Sequence, residues 1–252
     1  MLRRCAARRS EPKAAVSDRC GPPDKWLDRG FIRVWDARPP SLLRKEQLDI
    51  LAALVKDNWR KGCRILDLGC GTGKLEQLLF GCLPLARFTS VDGSPAMLGV
   101  AREKLVSRAA QVEFVQHDLA RLSEARLPGR PFRLIVSVNV IHELTHDAKR
   151  RLLKVCRNNL ARNGTLLIID RVAIERQRLR ESYSAVLRRL QRLNGEASGE
   201  LSSDFLNPRA PDHERPATLD QYFRWLRSAG FTPGLLHLHF HKALIAAKPC
   251  RQ

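Results

Sequence analysis

The stretch ILDLGCGTGKLEQLL, residues 65–79, limits the possible folds of this chain more than any other part of its sequence. An apolar stretch typical of a buried strand runs into three glycines at alternate positions, and then into leucines with helical spacing. Glycine carries no side chain, so a glycine-rich turn lets the backbone approach a small ligand closely. We therefore expect a strand, a ligand-binding turn and a helix, in this order.

The two common phosphate-binding loops do not fit this turn. The dinucleotide fingerprint GxGxxG requires a glycine where Lys74 stands. A P-loop, GxxxxGK followed by Ser or Thr, requires a glycine at Leu68 and a hydroxyl at Leu75. The spacing excludes both motifs and leaves a turn that is suited to another small ligand.

Strand and helix patterns alternate after this turn. Strand patterns at CRILDL, RFTSVD, VEFVQHD, FRLIVSVNV and TLLIID are separated by helical ones. One helix begins after Ser94, another runs from Thr145 to a stop at Gly164, and two short strands close the chain at 235–240 and 243–248. This order predicts an α/β fold with a mostly parallel sheet and helices on both faces.

Polar side chains end three successive predicted strands. Asp92 ends the second strand, Asp118 the third and Asn139 the fourth. In open parallel sheets the ligand lies beyond the carboxyl ends of the strands. A carboxylate at such an end can accept hydrogen bonds from a ribose diol. Together with the glycine turn, these residues predict a cleft for a nucleoside.

The ordered motifs ILDLGCGTG, FTSVDGSPAML, VEFVQHDL, IVSVNVIHEL and LARNGTLLIID resemble the class I S-adenosylmethionine-dependent methyltransferases over about residues 42–248. The resemblance implies a Rossmann-like fold, whose seven-stranded, mostly parallel sheet has an antiparallel last strand. It implies S-adenosyl-L-methionine as cofactor, and methyl transfer to an oxygen, nitrogen or carbon of a small-molecule acceptor. The implied cofactor-binding residues are Asp67, Gly69, Cys70, Gly71 and Gly73 at the methionine part, Asp92 at the ribose, Gly93, Met97, Asp118 and Leu119 around the adenine, and Asn139 near the sulfonium.

A neutral acceptor also needs a general base. The candidate catalytic residues are His142 and Glu143, just past the fourth strand, and His213 in a later loop. We assign no metal ligands. His237, His239 and His241 alternate along a predicted strand, but without a carboxylate or cysteine in register we expect a half-exposed strand face.

The remaining segments predict one methyltransferase domain at 26–252, preceded by a basic, disordered tail at 1–25. Within the domain, 26–60 forms a helical cap, and a helix with a long loop at 172–217 is inserted over the acceptor site. No stretch has the roughly 18 apolar residues of a membrane helix, and the seven scattered cysteines favour a reducing compartment. We therefore expect a cytoplasmic protein.

A formal net charge of +19 leaves RNA open as a partner. An alternative function is a transfer-RNA-linked enzyme, either similar to carboxy-S-adenosylmethionine synthase or an RNA methyltransferase. Residues 139–142 read NVIH and lack the Asp/Asn-Pro-Pro-aromatic motif of the amino-methylating nucleic-acid enzymes. A further alternative is a non-catalytic scaffold or sensor that binds the cofactor.

Overall fold

The computed structural model of the chain describes residues 24–38, 42–193 and 215–250. Most of the predicted basic tail, much of the predicted loop and His213 lie outside these ranges. The α-helices within them are α1 (Arg29–Asp36), α2 (Leu42–Asn58), α3 (Lys74–Cys82), α4 (Pro95–Lys104), α5 (His146–Asn159), α6 (Gln177–Leu193) and α7 (Leu219–Ser228). The strands are β1 (Arg64–Leu68), β2 (Arg87–Asp92), β3 (Val112–Gln116), β4 (Phe132–Val138), β5 (Leu160–Arg171), β6 (Phe231–His239) and β7 (Lys242–Pro249).

The strands form one seven-stranded sheet in the order β3-β2-β1-β4-β5-β7-β6. β1 to β5 pair in parallel, whereas β7 runs antiparallel to both β5 and β6. The predicted Rossmann-like sheet with an antiparallel last strand is confirmed. From β1 the chain adds β2 and β3 on one side and then β4 and β5 on the other. The carboxyl ends of β1, β2 and β4 therefore border one crevice, which is where such sheets bind ligands.

Helices cover both faces of the sheet, which explains why the central strands are almost continuously apolar. On one face Leu51 of α2 and Leu79 of α3 pack on strand residues such as Phe88. On the other face Leu152 of α5 and Leu226 of α7 pack into a second buried cluster. In the part of the chain that the structure describes, no helix is long and apolar enough to cross a membrane.

The predicted helix starts are confirmed where side chains cap them. Ser94 accepts a hydrogen bond from the Met97 amide, and Thr145 accepts one from the Ala148 amide. Thr218 and Gln221 form the reciprocal capping box at the start of α7. A local pattern of a few residues is enough to predict such caps, because both partners lie within one turn.

Two predicted boundaries are wrong. α5 ends at Asn159 rather than at Gly164, because the buried Leu160 already pairs with Phe132 of β4. The β4–β5 register then shifts before Thr165, and a Cβ on Gly164 would lie 2.7 Å from the Leu160 side chain. This glycine therefore accommodates an irregular strand and does not end a helix. α6 begins at 177 rather than 172, since β5 continues to Arg171 and Val172 forms a bridge to Ala217.

Candidate cofactor and acceptor site

The three glycines of the turn after β1 have left-handed backbone conformations and face three different surroundings. Gly69, Gly71 and Gly73 have φ values of 76°, 54° and 76°. A Cβ on Gly69 would lie 2.6 Å from Val140, and a Cβ on Gly73 would lie 2.8 Å from Leu105. A Cβ on Gly71 would meet only the Met97 sulfur, at 3.9 Å. Gly69 and Gly73 therefore permit close packing inside the protein, whereas Gly71 borders open space at the crevice.

Asp92, at the end of β2, holds the glycine turn in place. One carboxylate oxygen accepts a hydrogen bond from the Gly71 amide and the other accepts one from the Ser94 amide, each at 2.8 Å. Burial raises the pKa of Asp92, while these amide hydrogen bonds oppose the increase and the charge of Glu143 adds to it. Each carboxylate oxygen can accept a second bond, so Asp92 retains capacity for a ribose hydroxyl.

Asp67 lies beneath the turn rather than at its surface. It is 2% exposed, and burial together with the neighbouring Glu76 carboxyl raises its pKa well above the usual range. Ser90 donates a hydrogen bond of 2.5 Å to Glu76. Burial also raises the pKa of the Cys70 thiol well above its ordinary value. This buried acid pair and the neutral thiol support the turn from below, and direct contact of Asp67 or Cys70 with the cofactor stays a prediction.

The residues predicted for the adenine lie at the ends of β2 and β3. Met97 and Leu119 are each 6% exposed, and Gly93 is partly buried in the β2–α4 turn. The Asp118 side chain accepts a hydrogen bond of 2.8 Å from the Ala120 amide and caps the short helix that follows β3. The structure brings these residues to the same end of the sheet as Asp92.

Asn139 follows β4 with φ = 54°, and its amide donates a hydrogen bond of 2.7 Å to the Ile169 carbonyl. Its side-chain Oδ1 is buried and has no hydrogen-bond partner among the described residues. A buried polar atom without a partner is unfavourable unless a ligand satisfies it. The open space at Gly71 and this oxygen both fit a polar ligand in the crevice.

His142 belongs to a buried network rather than to an open cleft. It is 2% exposed, and its Nδ1 lies 2.6 Å from an Asp170 oxygen. The Tyr222 hydroxyl donates a hydrogen bond to the other Asp170 oxygen. Burial and the Asp170 charge raise the pKa of Tyr222 well above its usual value, so the hydroxyl keeps its proton. The structure thus places His142 at the end of β4 with one ring nitrogen already engaged.

A buried lysine extends this network to the chain beyond the loop. Lys149 Nζ donates to the carbonyls of His142, Leu144 and Arg215 at 3.3, 2.5 and 2.5 Å. Burial lowers the pKa of Lys149 to about 7, against the opposing charge of Asp170. Because these carbonyls belong to residues 142, 144 and 215, which are distant along the chain, Lys149 joins residue 215 to the segment that follows β4.

Glu143 faces the crevice and contacts the segment before α1. Its carboxylate accepts a hydrogen bond of 3.2 Å from the Trp26 indole, and the Trp26 carbonyl accepts one from Ser94. Asp36, at the end of α1, is hydrogen-bonded to Thr72 of the glycine turn at 2.5 Å and to Lys104 at 2.8 Å. Residues 24–36 are therefore fastened to three parts of the crevice.

The expectation that three histidines share one strand face is wrong for His241. β6 ends at His239, Phe240 adopts φ = 52°, and the buried His241 lies in the following turn. The rings of His237 and His239 do stack, with centroids 6.2 Å apart. A carboxylate is also present, since Glu46 of α2 reaches these two rings. Sequence spacing could not show this contact, because α2 is distant along the chain.

Asp170, Lys149, Tyr222 and Trp26 were not predicted as site residues. Asp170 is the next-to-last residue of β5 and ends the predicted strand TLLIID, as Asp92 ends RFTSVD, so the rule that identified Asp92 also applies to it. The roles of the others depend on contacts between distant segments.

Comparisons with known proteins agree with this architecture. A methyltransferase-domain family profile matches residues 65–164. A trans-aconitate 2-methyltransferase of Methylobacterium nodulans is 32% identical over 181 residues, which cover 72% of this chain and 62% of the relative. A carboxy-S-adenosyl-L-methionine synthase of Campylobacter concisus is 24% identical over 174 residues, which cover 67% of this chain and 72% of the relative.

Among solved structures, an O-methyltransferase family protein from Burkholderia thailandensis superposes with a TM-score of 0.62 at 18% identity, covering 89% of this chain and 60% of that one. The matches to three curated relatives, the trans-aconitate enzyme among them, span 31% to 62% of those relatives' own lengths. The matched profile begins at β1 and contains the glycine turn, Asp92, Asp118 and Asn139. The chain belongs to the class I S-adenosylmethionine-dependent methyltransferases.

Proposed function

We propose that this protein methylates a carboxylate oxygen of a small acidic molecule. When bound, S-adenosylmethionine supplies an electrophilic methyl group on a sulfonium. The chain's own residues then have two tasks, which are to hold the cofactor and to bring an acceptor oxygen into line with that methyl.

Gly71, Asp92 and Asn139 are the residues with the strongest support for holding the cofactor. Gly71 leaves space at the crevice, Asp92 retains acceptor capacity, and Asn139 carries a buried oxygen without a partner in the described ranges. Met97, Asp118 and Leu119 extend this proposed surface along the ends of β2 and β3.

The observation that carries the acceptor proposal is the proximity of two arginines. Arg44 of α2 lies close enough to Arg171, at the end of β5, that the second charge adds to burial in lowering the Arg44 pKa. A pair of positive charges attracts anions, so these two arginines are our candidates for the residues that draw a carboxylate acceptor to this place. Arg171 lies two residues past Ile169, whose carbonyl accepts a hydrogen bond from the Asn139 amide, so the backbone of Arg171 is close to the proposed methyl-transfer end of β4.

The environment of the predicted general bases also favours an acidic acceptor molecule. His142 is buried with Nδ1 at Asp170, and Glu143 accepts from Trp26. A carboxylate is already ionised at neutral pH and needs no base to become a nucleophile. The Methylobacterium nodulans relative is named a trans-aconitate 2-methyltransferase, and trans-aconitate is a tricarboxylate, which supports an acidic acceptor for this chain. General-base roles for His142, Glu143 and His213 remain predictions that apply to a neutral acceptor.

The test is transfer of a labelled methyl group from S-adenosylmethionine to panels of small di- and tricarboxylates, phenols, amines and transfer RNA. We expect the label in the acid panel, in a product that releases methanol in base, as methyl esters do. The variant Arg44→Gln should raise the acceptor KM by roughly 10-fold or more, the effect of one lost charge-assisted contact. Lys45→Gln removes an exposed positive charge from the same helix and serves as the matched control.

Base-stable label in phenols or amines would refute the carboxylate assignment. Label found only in RNA would favour the transfer-RNA-linked alternative. Cofactor binding without transfer to any panel would favour the scaffold alternative.

A further inference from the structure

We propose that Glu46, His237 and His239 form a binding site for one divalent transition-metal ion of the zinc type. Each residue offers one ligand atom, and these three atoms all lie within 4.8 Å of one another. Glu46 comes from α2, while both histidines come from the edge strand β6. Two imidazoles and one carboxylate form a common three-ligand set for zinc, with water in the remaining position.

The buried ring nitrogen of His239 favours a bound cation at this site. Its Nε2 is buried and has no hydrogen-bond partner among the described residues. A ring nitrogen shielded from water loses its hydration without compensation, which a bound cation would restore. The two rings are also prearranged, since they stack at 25° between their planes.

Gln47 fixes the orientation of His237. Its Nε2 lies 3.3 Å from His237 Nδ1 and donates a bond of 2.9 Å to the Lys242 carbonyl, while His237 Nε2 lies 3.9 Å from the Glu46 carboxylate. A metal on His237 Nε2 requires the ring proton on Nδ1. Gln47 Nε2 is a donor and must leave His237 Nδ1 when the ion binds, which also costs its bond to the Lys242 carbonyl; Oε1 of the same side chain, buried without a partner in the described structure, is then the available acceptor.

The surroundings select the kind of metal. Lys242 pairs with His239 in the hairpin, so the site has one carboxylate beside a neighbouring positive charge. Calcium and magnesium require several oxygen ligands, whereas zinc, cobalt and nickel bind neutral imidazole well. The chemistry therefore favours a borderline transition ion over a hard cation.

The proposed ion would fasten the N-terminal part of the fold to the far edge of the sheet. α2 packs on β4 and β5, and a bond through Glu46 would join it to β6 as well. Two strands, β5 and β7, separate β6 from β4 and its Asn139. We therefore assign the ion a structural role, distinct from methyl transfer.

The test is titration of the chelator-treated full chain with Co²⁺, followed by absorption spectroscopy, and with Zn²⁺, followed by thermal melting. We expect one Co²⁺ per chain, with visible bands of low-coordinate cobalt and no thiolate-to-cobalt charge-transfer band. Zn²⁺ at about 100 times its Kd should raise the Tm by roughly 5–10 °C.

Glu46→Gln and His239→Gln should each weaken Co²⁺ binding by at least about 10-fold. Glu46 has 57% of its side chain exposed, so its substitution leaves the fold intact. Asp49→Asn removes an exposed carboxylate from the same helix and should bind Co²⁺ like the wild type. The absence of saturable binding, a thiolate band, or unchanged affinity in Glu46→Gln would overturn the assignment.

Discussion

The Gly71 amide donates a hydrogen bond of 2.8 Å to the Asp92 carboxylate and thereby joins the turn after β1 to the end of β2. The same carboxylate accepts from Ser94 at the start of α4. One side chain therefore fixes the shape of two neighbouring turns and also borders the crevice. Loss of Asp92 should affect cofactor binding and local stability together, and experiments need to separate the two effects.

Asp92→Ala should largely abolish the rise in Tm that S-adenosylhomocysteine causes in the intact protein. The substitution removes the proposed ribose acceptor and leaves two backbone amides without their partner. Each such loss costs about 1–3 kcal/mol when the group is buried, so the Tm without ligand should fall as well. Asp147→Ala removes an exposed carboxylate and should preserve the shift. A full shift in Asp92→Ala would contradict the proposed role, and no shift in the intact protein would contradict cofactor binding.

Gly71→Ala should mainly weaken cofactor binding, whereas Gly69→Ala should mainly lower the stability of the fold. A methyl at Gly71 meets only the Met97 sulfur, so the fold should lose about 1 kcal/mol from backbone strain, while the cofactor crevice is obstructed. A methyl at Gly69 would lie 2.6 Å from Val140, so this variant should be clearly less stable. Urea unfolding with and without S-adenosylhomocysteine measures both effects. Equal stabilisation of Gly71→Ala and wild type by the ligand would show that Gly71 does not face it.

The sequence predicted the sheet and the strand-end residues because both depend on local patterns. Apolar strands, alternate glycines and the caps at Ser94 and Thr145 each involve a few consecutive residues. The α5–β5 boundary could not be predicted in this way, since Leu160 leaves the helix to pair with Phe132. Contacts between distant segments were also missed, such as Glu46 with the β6 histidines.

The candidate base illustrates the same limit. His142 was selected for its place after the fourth strand, and the structure does place it there. Its burial and its bond to Asp170 depend on β5, and the second Asp170 bond depends on Tyr222 of α7. A position along the chain identifies such a histidine, but only tertiary contacts determine whether its ring is open to an acceptor.

Tyr222→Phe should destabilise the fold by about 1–3 kcal/mol, because it leaves one buried Asp170 oxygen without its donor. For a domain of this size, a loss of 1 kcal/mol lowers the Tm by roughly 2–4 °C. Tyr183→Phe is the matched control, since Tyr183 belongs to another helix, α6, and its ring packs on Phe240. Equal Tm values for Tyr222→Phe and Tyr183→Phe would show that the Asp170 bond contributes nothing measurable.

Lys149 should make stability depend on pH above neutrality. Burial lowers its pKa in the folded chain to about 7, from 10.5 when it is exposed. Between these values the unfolded chain binds the additional proton, so the free energy of unfolding should rise with pH, by at most about 1.4 kcal/mol per pH unit. Lys149→Met lacks this dependence. The difference in free energy of unfolding between this variant and the wild type should therefore change between pH 7 and 9 and be constant below about pH 6. Chemical denaturation across this range measures the difference, and a value that does not change with pH would mean that the three carbonyls hold a fully charged ammonium.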